Sequence, residues 1–154
     1  MTERVAAVAV SEAVVDANVL LRFLTEDPPA MANQADQMLR AAEDGRVVLL
    51  VAPLTLAEVV YVLESRYGWS RGSIVSGLNG LFSAAVLVLL ERTIVEQALI
   101  WYRDMPAVHF ADAYVSALAA ARGHGAVVSF DRALRRVPGI HLIMRAADLD
   151  APDV

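Results

Sequence analysis

Ala13-Val14-Val15-Asp16-Ala17-Asn18-Val19-Leu20-Leu21-Arg22-Phe23 joins an apolar triplet to a helical stretch through an acid. The triplet reads as a short buried strand. Asn18 is a candidate N-cap for a helix from Val19 to about Thr25, and Asp27-Pro28-Pro29 breaks that helix. Asp16 therefore follows a buried strand directly and has no evident structural duty. The same alternation then recurs along the chain. A helix from about Ala30 to Glu43 ends before Gly45. Val47–Ala52 reads as a second strand, broken by Pro53, and a helix runs from Leu56 to about Tyr67. Its Leu56, Val59, Val60 and Leu63 form one apolar stripe, while Tyr61 and Val62 lie off it, so two faces are expected to be buried.

Arg71–Phe82 is a weaker helix, because Gly72, Gly77 and Gly80 each lower its propensity. Val86–Leu90 is a third strand. Ile94–Met105 is helical, with Val95, Ala98, Leu99 and Tyr102 on one face, and Pro106 stops it. Ala111–Arg122 is a helix closed by Gly123. Ala126–Ser129 is a fourth strand, followed by a short helix around Ala133–Arg136 and a last strand from Ile140 to Ile143. Strands alternating with helices predict an α/β fold with a mainly parallel sheet. Residues before Ser11 fit no single period, and the tail after Asp148 is expected to fray.

At 154 residues the chain is expected to form one domain with a real core. Its hydrophobic fraction of 57% lies above the usual level, which implies a large core or an apolar surface that meets a partner. No run approaches the roughly 20 apolar residues of a membrane span, and the start lacks a signal-peptide layout, so a cytoplasmic chain with no membrane role is expected. Cysteine is absent, which excludes disulfides and thiolate sites. The net charge of −5 argues against binding nucleic acid through a broad basic surface. It leaves room for a metal-dependent nuclease, whose cations invert the local field. All 13 basic residues are Arg.

Three further acids stand where apolar runs meet helices or turns: Glu58, Asp112 and Asp131. Each has a structural explanation. Thr55-Leu56-Ala57-Glu58 has the form of a capping box, with Leu54 and Val59 as its hydrophobic staple. Asp112 lies in a first helical turn, where the helix dipole favours negative charge. Asp131 is a candidate N-cap. Their joint placement supports a functional reading instead. Sites in open parallel sheets form beyond the carboxyl ends of strands, and Asp16, Glu58 and Asp131 all follow expected strands closely. Asp112 opens the helix leading to the fourth strand. Clustered carboxylates hold hard cations that activate water against phosphodiesters, and Asn18 and Ser129 would add neutral oxygens.

The ordered set Val14-Val15-Asp16-Ala17-Asn18, Thr55-Leu56-Ala57-Glu58-Val59-Val60, Phe110-Ala111-Asp112-Ala113-Tyr114 and Ser129-Phe130-Asp131-Arg132 resembles the PIN-domain family, and within it the VapC-type toxins. The resemblance spans about residues 13–145. It implies a three-layer α/β/α domain with a mainly parallel central sheet and a Mg²⁺- or Mn²⁺-dependent ribonuclease site. Carried over, Asp16, Glu58, Asp112 and Asp131 are the acidic quartet, with Asp16 and Asp112 nearest the metal. Asn18, Ser129 and Arg132 are possible supporting residues. The resemblance further implies an RNA product with a 5′-phosphate and a 3′-hydroxyl, self-association into a homodimer, and a cognate protein antitoxin. The dozen or so residues before the first strand depart from the family pattern.

Other readings remain. Phosphatases of the haloacid-dehalogenase type and response-regulator receivers also place an Asp after a first strand, but both need a Lys and this chain has none. A non-catalytic RNA- or protein-binding module is the rival from another class. His109 reads as a loop residue, His124 as part of a Gly-His-Gly turn and His141 as strand packing. Arg132, Arg135 and Arg136 are either a solvated helix end or phosphate contacts. Trp69, Trp101, Tyr61 and Tyr102 read as core or interface.

Overall fold

A computed structural model describes residues 11–84 and 86–150. The ambiguous N-terminal residues and the end of the tail lie outside this range. The chain groups into two compact units: one takes residues up to Val59 and returns from Gly77 to Leu90, the other takes Val60–Ser76 and everything from Glu91.

The first unit holds β1 (Glu12–Val14), α1 (Ala17–Thr25), α2 (Pro29–Glu43), β2 (Val48–Val51) and β3 (Leu87–Leu89), with the first part of α3 (Pro53–Ser65) and the second part of α4 (Arg71–Ser83). The strands pair in parallel in the order β1-β2-β3, with Val14, Leu50 and Val88 in one row. Parallel neighbours need crossover connections, and the helices supply them. Two of the helix starts that differ from expectation bear on the candidate site. α1 begins at Ala17, so Asp16 rather than Asn18 takes the N-cap position, with an extended backbone (φ −83°, ψ 156°). α3 begins at Pro53, not Leu56. Proline suits the first helical position, because its φ is already helical and its missing N–H would have had no partner there. Thr55 therefore lies inside the helix and cannot cap it, and Leu54, 82% exposed, makes no staple. The expected apolar stripe of Leu56, Val59, Val60 and Leu63 is buried, but the second face is not, since Tyr61 is 68% exposed.

α4 forms despite its glycines. Three glycines cost about 3 kcal/mol relative to alanine. Burial of Ile74, Val75, Leu78, Leu81 and Phe82 outweighs this at roughly 1.5–3 kcal/mol per side chain.

The second unit holds α5 (Arg92–Asp104), α6 (Phe110–Ala121), β4 (Ala126–Val128) and β5 (His141–Ile143), with 3₁₀ turns at Arg132–Arg136 and Ala146–Asp150. β4 and β5 are also parallel, so every described strand pair is parallel, as an α/β chain requires. α5 packs on α6 through Val95, Ala98, Leu99 and Tyr102, the face expected from the sequence. The Tyr102 ring meets Phe110 edge-on at 6.1 Å.

A polar cluster sits within this apolar contact. Arg71 donates through one guanidinium nitrogen to the carbonyls of Tyr102 (2.8 Å), Met105 (3.1 Å) and Val108 (2.7 Å). Its Nε reaches Glu64 Oε1 at 3.3 Å, and the guanidinium lies 4.4 Å from the Tyr102 ring centre. Tyr102 Oη donates to Glu64 Oε2 at 2.9 Å. Burial, then the bond to Glu64, pushes the Tyr102 phenol well above its ordinary value. A phenol whose folded pKa is raised stabilises the fold fully below its unfolded pKa, near 10, and loses that contribution as pH rises through the folded value. Thermal melts should show the parent losing more stability above about pH 10 than Tyr102→Phe. Equal slopes for the two proteins would exclude Tyr102 as the alkaline-sensitive group.

One backbone approach sets the geometry beyond α6. Gly125 and Gly139 both take left-handed conformations (φ 60° and 73°), and a Cβ at residue 125 would stand 2.1 Å from the Gly139 carbonyl oxygen. The Gly125 carbonyl accepts from His141 N–H at 2.9 Å, and its N–H donates to the Ala119 carbonyl at 3.1 Å. One residue therefore ties β5 to α6.

Candidate functional site

In the first unit, Asp16 and the start of α3 leave from one edge of the sheet. The register pairs Val14 with Leu50, and Val15 N–H extends the ladder to the Leu50 carbonyl at 2.8 Å. Asp16 is thus level with Ala52, about 4.8 Å across in a parallel pair. Glu58 stands five residues into α3, about 7.5 Å along its axis. Both acids are exposed. Asp16 makes no side-chain capping hydrogen bond despite its position, and among the described residues it accepts only from Asn18 Nδ2 at 3.3 Å. Asn18 therefore steers Asp16 rather than capping α1. Glu58 accepts no hydrogen bond from any described residue, so its capping-box explanation falls away.

In the second unit, α6 and β4 join through residues 122–125 and run back along each other. Asp112 lies nine residues up α6 from Ala121, about 14 Å at 1.5 Å per residue. Asp131 lies five residues beyond Ala126, about 16 Å of extended chain. The two acids consequently stand at the same end of this unit. Asp112 is half-buried in the first turn of α6, after His109 at the N-cap position. Arg71 fixes that approach by holding the Val108 carbonyl. Tyr114 Oη donates to Glu91, a bond that raises the phenol to about 12. Asp131 does act as an N-cap: its Oδ1 accepts from Ala133 N–H at 2.9 Å, and its own N–H donates to Ser129 Oγ at 3.0 Å. Ser129 thus holds the backbone of Asp131, and the other carboxylate oxygen of Asp131 is uncommitted.

Among the described residues, none of the four acids is ion-paired, and no three His, Asp or Glu side chains stand together as a cation cage. The donor chemistry nonetheless fits Mg²⁺, which keeps several waters and needs only one or two carboxylates. Each unit offers two carboxylates with no ion-pair partner among the described residues. Ser116, one turn after Asp112 on the same face of α6, adds a buried hydroxyl without a partner among the described residues.

His141 corrects an expectation. It is exposed at the start of β5 and does not pack. Sequence reading passed over Arg71 and Glu64, whose partners lie far along the chain and leave no local pattern. No helix among the described residues is long and apolar enough to cross a membrane.

The family model of the PIN domain matches residues 13–140, a range that contains all four acids. No curated protein and no solved structure matches the chain. With its α/β architecture and parallel strands, consistent with a three-layer α/β/α fold, this chain belongs to the PIN-domain family.

Proposed function

We propose that this chain is a Mg²⁺- or Mn²⁺-dependent endoribonuclease and the toxin of a toxin–antitoxin pair. PIN domains are in general metal-dependent nucleases. One observation supports the finer reading: among the described residues, none of the four acids is ion-paired, so each carboxylate is open to a cation. In this reading Asp16, Glu58, Asp112 and Asp131 would be the carboxylates that serve the cation, Asp16 and Asp112 most directly. A divalent cation supplies a water of lowered pKa and a counter-charge for the phosphodiester. Asn18 orients Asp16, Ser129 orients Asp131, and Arg132 stands beside Asp131 as a phosphate partner. Water adds to phosphorus, the bond to the 3′-oxygen breaks, and that oxygen leaves with a proton. The products carry a 5′-phosphate and a 3′-hydroxyl.

The partner reading is supported by apolar side chains left outside. Leu54 is one turn before Glu58 on α3, and both it and Tyr61 are exposed. A homodimer, and a small antitoxin encoded next to this chain, would cover such a surface. Purified protein is expected to cut a mixed RNA pool with Mg²⁺ or Mn²⁺ and to stop in EDTA, with 5′-phosphates at the mapped ends. Undiminished cleavage in EDTA rejects the metal mechanism. Cleavage that the neighbouring gene product leaves untouched rejects the toxin reading alone.

A further inference from the structure

Immediately after Asp131 the chain turns basic. From Arg132 to Ala147 it carries Arg132, Arg135, Arg136 and Arg145 and no Asp or Glu, in a protein with a net charge of −5. The fold gathers this charge. Residues three apart on a 3₁₀ turn lie on one side, so Arg132 and Arg135 face the same way. β5 and its exit bring in His141 and Arg145. Together with Met144 and Asp148 these residues line an open groove of about 500 Å³ within the second unit.

The guanidinium groups in this groove are largely unspent. Arg132 makes no hydrogen bond or ion pair with any described residue. Among the described residues Arg135 donates only to Met144 Sδ at 3.4 Å, and a thioether is a weak acceptor. Of these arginines, only Arg145 is ion-paired to a described residue, Asp148 at 3.0 Å. Asp148 also accepts the N–H groups of Met144 (3.1 Å) and Arg145 (2.9 Å). The Arg145 guanidinium and these backbone donors hold its carboxyl below the usual range. Asp148 is thus a built-in brace, and three guanidiniums against one carboxylate leave the groove positive.

We infer that this groove seats backbone phosphates of the RNA strand beside the phosphodiester being cut, an inference that rests on the ribonuclease reading. Planar guanidiniums match phosphate oxygens in pairs. The volume lies in the range of sites that enclose a ligand segment and exceeds the needs of one small anion. Phe130, one residue before Asp131, is exposed and offers a ring face on which a base can stack. A nucleic-acid strand supplies both phosphates for the arginines and bases for an exposed ring close by in sequence, which a purely acidic peptide does not.

The test is binding of a short fluorescent single-stranded RNA in EDTA across a KCl series, for the full chain and for Arg135→Ala/Arg145→Ala. Each lost phosphate contact on a single strand should flatten the log–log salt slope by about 0.7, so the double variant should be shallower by about 1.4 and weaker at low salt. In Mn²⁺ its cleavage defect should fall mainly on KM. Arg40→Ala/Arg46→Ala, which removes the same charge elsewhere, should leave the slope unchanged. The inference is overturned if the groove variant matches the parent in affinity and slope, or if the parent binds no RNA. It is equally overturned if millimolar inorganic phosphate strips the RNA completely, which marks a site for a lone anion. Loss of antitoxin binding with RNA binding intact would make the groove a protein-docking face and would also overturn it. Arginine-dependent RNA binding without any cleavage in Mn²⁺ keeps the groove and rejects the nuclease reading. Cleavage with KM unmoved by the variant does the reverse.

Discussion

Asp16→Asn should lose at least about a hundredfold of its metal-dependent RNA cleavage, since even groups behind the metal ligands are worth 10- to 100-fold. An amide is nearly the same shape but carries no charge to hold the cation. The fold should not notice the change. Asp16 makes no side-chain capping bond, its one hydrogen bond among the described residues is from Asn18 at 3.3 Å, and Asn is as good as Asp at an N-cap position. Relief of repulsion from Glu58, at the same sheet edge, works in the same direction. In EDTA the variant should therefore melt no lower than the parent, and added Mn²⁺ should raise the parent's melting point more, because a ligand of the folded state shifts unfolding by mass action. Cleavage at the parental rate would remove Asp16 from the chemistry. A melting point well below the parent's would make it a structural cap.

The largest loss of stability should come from Arg71→Ala. The substitution leaves Glu64 without its guanidinium and strips three carbonyls of a shared donor. Breaking such a part-buried cluster by removing one partner costs about 3–5 kcal/mol, which lowers the melting point of a domain this size by roughly 10 °C. Arg71→Lys should rescue little, because an ammonium lacks the planar fork and stacks poorly on Tyr102. Glu64→Gln still accepts the Tyr102 hydroxyl and should cost only about 1 kcal/mol. Circular-dichroism melts rank the three. If Arg71→Ala melts within about 3 °C of the parent, the cluster is ornamental.

Much of the architecture could be read from local pattern, because burial follows period. The Leu56, Val59, Val60 and Leu63 stripe and the Val95 to Tyr102 face are signals within a few turns; the apolar triplet before Asp16 marked β1, but its Val14 is 70% exposed rather than buried. The failures were at boundaries and at long range. Pro53 read as a strand breaker, and it is also a helix starter. Asn18 read as a cap, while the helix starts one residue after Asp16. Asp131 had two readings, and its capping bond to Ala133 is real. Glu58 also had two, and its capping box dissolved once α3 began at Pro53. His141 sits at a strand end, where alternation no longer dictates burial. Arg71 left no signal at all, since its carbonyl partners lie 31 to 37 residues away.

The close pass of Gly125 over Gly139 makes this protein vulnerable at a place with no chemistry of its own. Backbone, not a yielding side chain, lies 2.1 Å from where a methyl group would go. The displaced segment has Asp112 at the far end of one connected element and Asp131 at the far end of the other. If the chain is the nuclease proposed above, a variant that loses activity in one step need not alter a carboxylate. A single methyl group at residue 125 would misalign two acids at once while leaving the whole quartet intact in the gene, so a silenced copy would pass for an active one on inspection of its acids alone.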